Sequence, residues 1–101
     1  AGVYQSTFGR VSGTVAYMAP EQAAGEHLTP AADWYAVGTV LYELLAGCLP
    51  FTGSADEVIR AKQTTDPPPP SAVRPEIPAD LDRLCLELLD RDPARRPTGV
   101  H

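Results

Sequence analysis

Residues 30–47 read PAADWYAVGTVLYELLAG and carry the strongest periodic pattern of the chain. Apolar side chains recur there at three- and four-residue steps, at Trp34, Val37, Leu41, Leu44 and Leu45. Thr29 is a favourable N-cap, and Pro30 suits the first helical position, where its missing N–H costs nothing. Gly47 suits the position just after a helix, and Pro50 prevents continuation. The pattern therefore predicts a helix over residues 30–46.

The other side of this predicted helix is apolar as well, since it carries Ala36, Val40 and Ala46. A helix that is apolar all round is usually buried on nearly all sides. We therefore expect a mainly α fold in which other helices cover this one.

Several shorter elements flank the predicted central helix. Residues 1–14 are glycine-rich and polar without periodicity, which predicts a loop, and residues 20–21 open one helical turn. Ser54 and Glu57 form a capping-box pattern that predicts a short helix to about Thr64. Its inward side chains are expected to be Val58, Ile59 and Ala61.

The last third of the chain combines a proline-rich stretch with a second amphipathic pattern. Six prolines between residues 67 and 78 predict an extended, non-helical segment. An apolar stripe then follows at helical spacing, at Leu81, Leu84, Cys85, Leu88 and Leu89. The opposite face is expected to turn Asp80, Asp82 and Glu87 toward water, and Pro93 is expected to end the helix.

Composition excludes several classes of function. A net charge of −5 argues against nucleic acid and against anionic membrane surfaces as partners. The two cysteines and two histidines show no metal-ligand spacing, so no metal site is expected. No apolar run reaches the roughly 20 residues that a bilayer span needs. We expect a reducing, cytoplasmic location, which leaves open a membrane anchor elsewhere in a longer protein.

Four motifs occur in order between residues 13 and 97. GTVAYMAPE spans residues 13–21, and Asp33, Tyr35 and Gly38 fit D-x-W/Y-x-x-G. GCLPF at 47–51 and DPARRP at 92–97 fit G-x-x-P-F and D-P-x-x-R-P. This series resembles protein kinases of the bacterial serine/threonine class, from the end of the activation segment to the D-P-x-x-R-P loop.

The resemblance implies a role for each matching residue. The substrate backbone would bind along Gly13, Thr14, Val15, Ala16 and Tyr17. The Thr14 hydroxyl would support catalysis beside an aspartate that this chain lacks. Glu21 and Arg96 would form a buried ion pair, while Asp33, Tyr35 and Gly38 would be structural. Taken without the family, Thr14 would be an ordinary loop threonine, and Glu21 and Arg96 would be solvated charges.

The activation segment of such kinases is a place for phosphorylation. Ser6, Thr7 and Ser12 precede the GTVAYMAPE motif and are the candidate phosphosites. A phosphate adds nearly two negative charges and can order a loop against an arginine. The expected domain division is an activation segment and substrate-side loop over residues 1–21, and a helical C-lobe subdomain over residues 22–101.

The motifs that bind ATP and perform the transfer are missing from these residues. The chain has no G-x-G-x-x-G, no H-R-D and no D-F-G, and its single lysine, Lys62, lies outside a V-A-I-K pattern. The resemblance therefore implies a fragment that is inactive alone, from a parent that uses ATP and Mg²⁺ to phosphorylate protein serine or threonine. A non-catalytic pseudokinase and a helical interaction module remain the alternatives.

Overall fold

A computed structural model describes residues 13–23, 25 and 29–97. Its helices are α1 (Gly13–Tyr17), α2 (Pro20–Ala23), α3 (Pro30–Ala46), α4 (Ala55–Thr64), α5 (Pro70–Val73) and α6 (Ala79–Leu88), followed by a 3₁₀ turn at Pro93–Arg95. The described part of the chain contains no β-strand. The predicted mainly α fold is thereby confirmed.

Helix α3 has the bounds and both caps that the sequence predicts. The Thr29 hydroxyl oxygen accepts a hydrogen bond from the Ala32 N–H at 3.2 Å. At the other end Gly47 adopts a φ of 79°, and its N–H donates to the Glu43 carbonyl at 2.9 Å. Because side chains other than glycine are strained at such a φ, Gly47 ends the helix where it does.

The core lies between α3 and α6. Its buried apolar residues are Ala19, Ala32, Tyr35, Tyr42, Ala46, Cys85 and Leu89. Gly38 lets the two helices approach closely, since a Cβ on this residue would lie 2.7 Å from the Leu88 Cβ. The Cys85 thiol completes the contact by donating to the Gly38 carbonyl at 3.6 Å.

Filling the space beside Gly38 is expected to destabilise the domain. In Gly38→Ala the new methyl meets the Leu88 Cβ and, at 3.3 Å, the Leu88 carbonyl carbon, neither of which can rotate away. We expect the free energy of unfolding to fall by about 1–3 kcal/mol, with a larger loss for Gly38→Val. Urea denaturation of the complete protein measures this. A Gly38→Ala variant as stable as the wild-type protein would show that α3 and α6 can move apart without loss of stability.

Helix α4 begins at the predicted capping box. The Ser54 hydroxyl accepts from the Glu57 N–H at 3.2 Å, and the Glu57 carboxylate accepts from the Ser54 N–H at 2.8 Å. Val58 is fully buried, whereas Ile59 and Ala61 are only half-buried. The helix ends at Thr64 as predicted.

Two local predictions for the loops are wrong. Residues 13 and 14 belong to helix α1 rather than to the predicted loop, because packing of α1 on α4 supplies stability that the local sequence lacks. The proline-rich stretch contains the helical turn α5, since Pro70 occupies its first position, where proline is tolerated.

The exposed and buried faces of α6 also differ from the prediction. Asp82 does not face water freely: it is half-buried and accepts hydrogen bonds from the Ser71 N–H and hydroxyl at 3.0 and 2.7 Å. Leu84 was predicted on the apolar face but is 39% exposed. Helix α6 ends at Leu88, several residues before Pro93.

Helix α3 keeps one face uncovered. Val37, Val40 and Leu44 are 45%, 46% and 77% exposed, so the described elements do not bury the helix on nearly all sides as expected. Within residues 13–23, 25 and 29–97, no helix combines the length and hydropathy needed to cross a membrane.

Candidate functional site

The candidate site is built around the segment of residues 13–21, which forms helix α1, a turn and the start of α2. Ala16 is buried and packs with Val58 of α4. Half-buried apolar side chains surround this pair: Val15, Tyr17, Leu49 and Phe51. Gly13 and Thr14 lie on the α1 backbone, but the Thr14 side chain is outside the described part of the structure.

Tyr17 connects the segment to the central helix. Its hydroxyl donates to a Glu43 carboxylate oxygen at 2.7 Å, across 26 positions of the chain. An N–H from the following turn is also satisfied, since the Gln22 side-chain oxygen accepts from the Ala19 N–H at 2.9 Å. The Tyr17–Glu43 hydrogen bond restricts how the segment can move relative to α3, and the Ala19–Gln22 hydrogen bond fixes the turn between α1 and α2.

Glu21 and Arg96 meet as a buried, bidentate ion pair. Arg96 Nη1 and Nη2 donate to the two Glu21 carboxylate oxygens at 2.7 and 2.8 Å. The Arg96 side chain has no exposed surface and that of Glu21 has 7%. The fork of the guanidinium matches the carboxylate in such a geometry. The pair joins α2 to the residue that follows the 3₁₀ turn.

The remaining Arg96 donors are used by the backbone. Nε donates to the Asp90 carbonyl at 2.7 Å, Nη1 to that of Ala31 at 3.0 Å and Nη2 to that of Arg91 at 3.4 Å. A guanidinium has five N–H donors, so each one has a partner here. Arg96 therefore holds α2, the start of α3 and the chain after α6 in one arrangement.

The Arg96 hydrogen bonds also set the ionisation of Glu21. They lower the pKa of the Glu21 carboxyl below its usual value, against the opposing effect of burial. Glu21 is accordingly a carboxylate at neutral pH, and its charge is matched by a permanently charged arginine.

Tyr35 lies beside two cations. Its ring centroid is 5.0 Å from Arg96 Cζ and 5.3 Å from Lys62 Nζ, which are cation–π distances. Burial raises the pKa of the Tyr35 hydroxyl, so the ring stays neutral. Asp33, two positions before Tyr35 on α3, is exposed in the described structure.

Lys62, on helix α4, contacts the backbone of the candidate site. It is 1% exposed, and its Nζ donates to the carbonyls of Val15, Ala16 and Met18 at 2.7, 3.0 and 2.7 Å. These acceptors lie at the end of α1 and in the turn before α2. Burial lowers the pKa of the Lys62 ammonium to about 8, so it is still largely protonated at neutral pH.

The structure thus brings together most of the residues named from the sequence. The segment 13–17, Glu21, Tyr35 and Arg96 are neighbours, whereas Gly38 belongs to the α3–α6 contact. Ser6, Thr7 and Ser12 lie outside the described residues. Arg91 and Arg95 have exposed side chains and form surface ion pairs with Asp66 and Asp90, which contribute little stability.

Sequence reasoning missed two members of the site, Glu43 and Lys62. Lys62 has a detectable signal, since it follows the inward-facing Val58 by four residues and therefore lies on the same face of α4. Glu43 has no such signal, because a single acidic residue in an apolar helix does not indicate which residue it will bind.

Two other features lie away from the segment. A concavity of about 500 Å³ is lined by Asp66, Pro67, Leu86, Leu89, Asp90, Arg91, Asp92 and Arg95, none of which belongs to residues 13–21. The described residues contain no cluster of three His, Cys, Asp or Glu side chains that would hold a metal.

The buried Glu21–Arg96 pair, which the resemblance to kinases implied, holds α2 beside the capped central helix α3. The protein kinase domain family matches residues 2–101, and the chain belongs to this family. It is similar to the serine/threonine-protein kinases pkn3 and Pkn1 of Myxococcus xanthus, at 45% and 43% identity over 91% and 95% of the chain. PknA of Mycobacterium tuberculosis is 40% identical over 87% of the chain.

The chain spans only a small part of these relatives. It covers 17% of pkn3, 14% of Pkn1 and 20% of PknA. Family membership excludes the independent helical interaction module that the sequence left open as an alternative.

Proposed function

We propose that this chain is the substrate-side and scaffold part of a serine/threonine protein kinase. The complete protein would transfer the γ-phosphoryl group of ATP to a serine or threonine hydroxyl of another protein. The observation that carries this proposal is the segment 13–21, anchored by the Glu21–Arg96 pair. The relatives pkn3, Pkn1 and PknA are serine/threonine-protein kinases, which supports the choice of serine and threonine.

The proposed division of labour has two parts. Residues 1–21 would form the activation segment and substrate-side loop, and residues 22–101 would form the helical C-lobe scaffold. Within the first part, the backbone of residues 13–17, which forms helix α1, would lie along the substrate, and the Thr14 hydroxyl would support the catalytic aspartate. Glu21, Asp33, Tyr35, Gly38 and Arg96 would hold the scaffold.

ATP and Mg²⁺ would be bound by residues other than these. The chain lacks the glycine-rich loop, the strand lysine and the D-F-G aspartate that hold the phosphates and the metal. Its own contribution is to position the substrate hydroxyl, which in phosphoryl transfer accounts for much of the rate enhancement.

Nucleotide binding separates the chain from the complete protein. By calorimetry with Mg²⁺, residues 1–101 alone are expected to show no micromolar binding of ATP, because the phosphate-binding motifs are absent. The complete protein is expected to bind ATP and to label protein serine or threonine with the γ-phosphate.

Each outcome of that comparison has a distinct meaning. Micromolar binding by residues 1–101 would contradict the proposed division of labour. Labelling of tyrosine alone would contradict the serine/threonine class. A complete protein that neither binds ATP nor transfers phosphate would be a pseudokinase that retains this scaffold.

A further inference from the structure

Among the described residues, buried Lys62 has no carboxylate partner. It is the only lysine of the chain and is 1% exposed, although lysines are rarely buried unless paired. The ion pairs of the described residues join arginines to Asp66, Asp90 and Glu21, and none includes Lys62. A buried charge in this position is costly, so the surrounding acceptors must compensate for it.

The compensating acceptors all belong to the segment 13–18. Lys62 Nζ donates to the Val15 and Ala16 carbonyls near the end of the short helix α1. The Val15 carbonyl also accepts from the Met18 N–H at 3.3 Å, whereas the last carbonyls of a helix lack intrahelical partners in general. The third acceptor, the Met18 carbonyl, lies in the turn that leads to α2. An ammonium has three N–H donors, which matches the three acceptors.

Neighbouring contacts make this link between α4 and the segment specific. Ala16 and Val58 form the apolar part of the interface, and the Tyr35 ring borders the ammonium. Arg96, which binds Glu21, borders the same ring. The two cations therefore hold residues 15–18 and Glu21 of the segment 13–21 beside one aromatic side chain.

We propose that Lys62 is a positioning residue that fixes the substrate-side segment, residues 13–18, on helix α4. This inference rests on the proposed function. It adds that α4, a helix outside the segment, determines how well protein substrate binds. The ammonium does not touch substrate or ATP and acts through the backbone of residues 15–18.

Lys62→Met tests this in the complete kinase, because it keeps the length of the side chain and removes the charge and all donors. We expect the KM for a peptide substrate to rise about tenfold, since small displacements of a positioning element are costly. The KM for ATP is expected to stay within twofold. Lys62→Arg keeps a positive charge and N–H donors, so its KM for the peptide is expected to lie closer to the wild-type value than that of Lys62→Met.

Two variants make the result interpretable. Arg60→Met removes a cation from the exposed side of the same helix and is expected to leave both KM values unchanged. Thr14→Ala, measured in parallel, reports on the segment itself. If Thr14→Ala lowers kcat and Lys62→Met leaves the peptide KM unchanged, only the inference about Lys62 fails. If neither variant has an effect, the proposed function of the segment fails.

The role of Lys62 can still be tested if Lys62→Met does not fold. Should Lys62→Met be recovered unfolded, Lys62→Gln carries the same test, because its amide keeps two N–H donors on a shorter side chain. Equal rises in the KM for peptide and for ATP, in any folded variant, would mean that Lys62 only stabilises the fold and would overturn the proposal.

Discussion

Removal of either charge of the Glu21–Arg96 pair is expected to destabilise the complete kinase by about 3–5 kcal/mol. Glu21→Ala leaves a guanidinium with no exposed surface facing an empty site. Arg96→Ala leaves the Glu21 carboxylate and the carbonyls of Ala31 and Asp90 without their donors. In both variants the cost is that of an uncompensated buried group, which exceeds the net contribution of the intact pair.

The double variant decides whether the two side chains act as a unit. Glu21→Ala with Arg96→Ala removes both charges together, so its loss of stability should be clearly smaller than the sum of the single losses. Urea denaturation of the four proteins completes the cycle. Strict additivity would contradict the bidentate contact at 2.7 and 2.8 Å.

The pH dependence gives an independent control with a defined sign. Because the pKa of Glu21 is lowered in the folded protein, the pair contributes stability above the ordinary glutamate pKa near 4.5. This contribution is lost as the pH falls through the lower, folded value. Glu21→Gln is expected to lack that part of the acid dependence, whereas wild-type protein shows it.

Elements with local signals were predicted well from the sequence. The cap of α3 by Thr29, its end at Gly47 and the capping box of α4 involve residues within four positions of one another. In each case the hydrogen-bond donors and acceptors are set by the chemistry of the capping side chain, so sequence alone identifies them.

Elements that depend on distant contacts were not predicted. Helix α1 has five residues, too few to be stable alone, and its Val15 and Ala16 carbonyls accept from a lysine 47 and 46 positions away. Nothing in residues 13–18 indicates that partner. The helical turn at Pro70–Val73 was not predicted because its proline-rich sequence favours an extended segment. The Ser71 hydroxyl donates to the Asp82 carboxylate, 11 positions away, a contact that exists only in the folded chain.

The family resemblance predicted one long-range contact, between Glu21 and Arg96, that local sequence patterns could not predict. Glu21 and Arg96 are 75 positions apart, and their charges alone would suggest two solvated side chains. The motifs around them implied a pair, and the structure places them in contact. The same resemblance was silent about Lys62, because its position belongs to none of the four motifs.

Thr14→Ala in the complete kinase is expected to lower kcat about ten- to a hundredfold, a loss of roughly 1.4–2.8 kcal/mol of transition-state stabilisation. The reason is the proposed role of its hydroxyl, which would help to orient the catalytic aspartate and the incoming substrate hydroxyl. Such an interaction acts mainly in the transition state, so the KM for ATP should change less than kcat. Steady-state phosphotransfer to a peptide measures both.

Thr14→Ser separates the hydroxyl from the rest of the side chain. It keeps the oxygen and removes one methyl group, so most activity should remain. Ser6, Thr7 and Ser12 provide a second control, because replacing one of them should matter only if it is phosphorylated. Phosphatase treatment of the wild type would then reproduce that loss but not the loss in Thr14→Ala. A Thr14→Ala kinase with the wild-type kcat would return Thr14 to the status of an ordinary threonine in the segment.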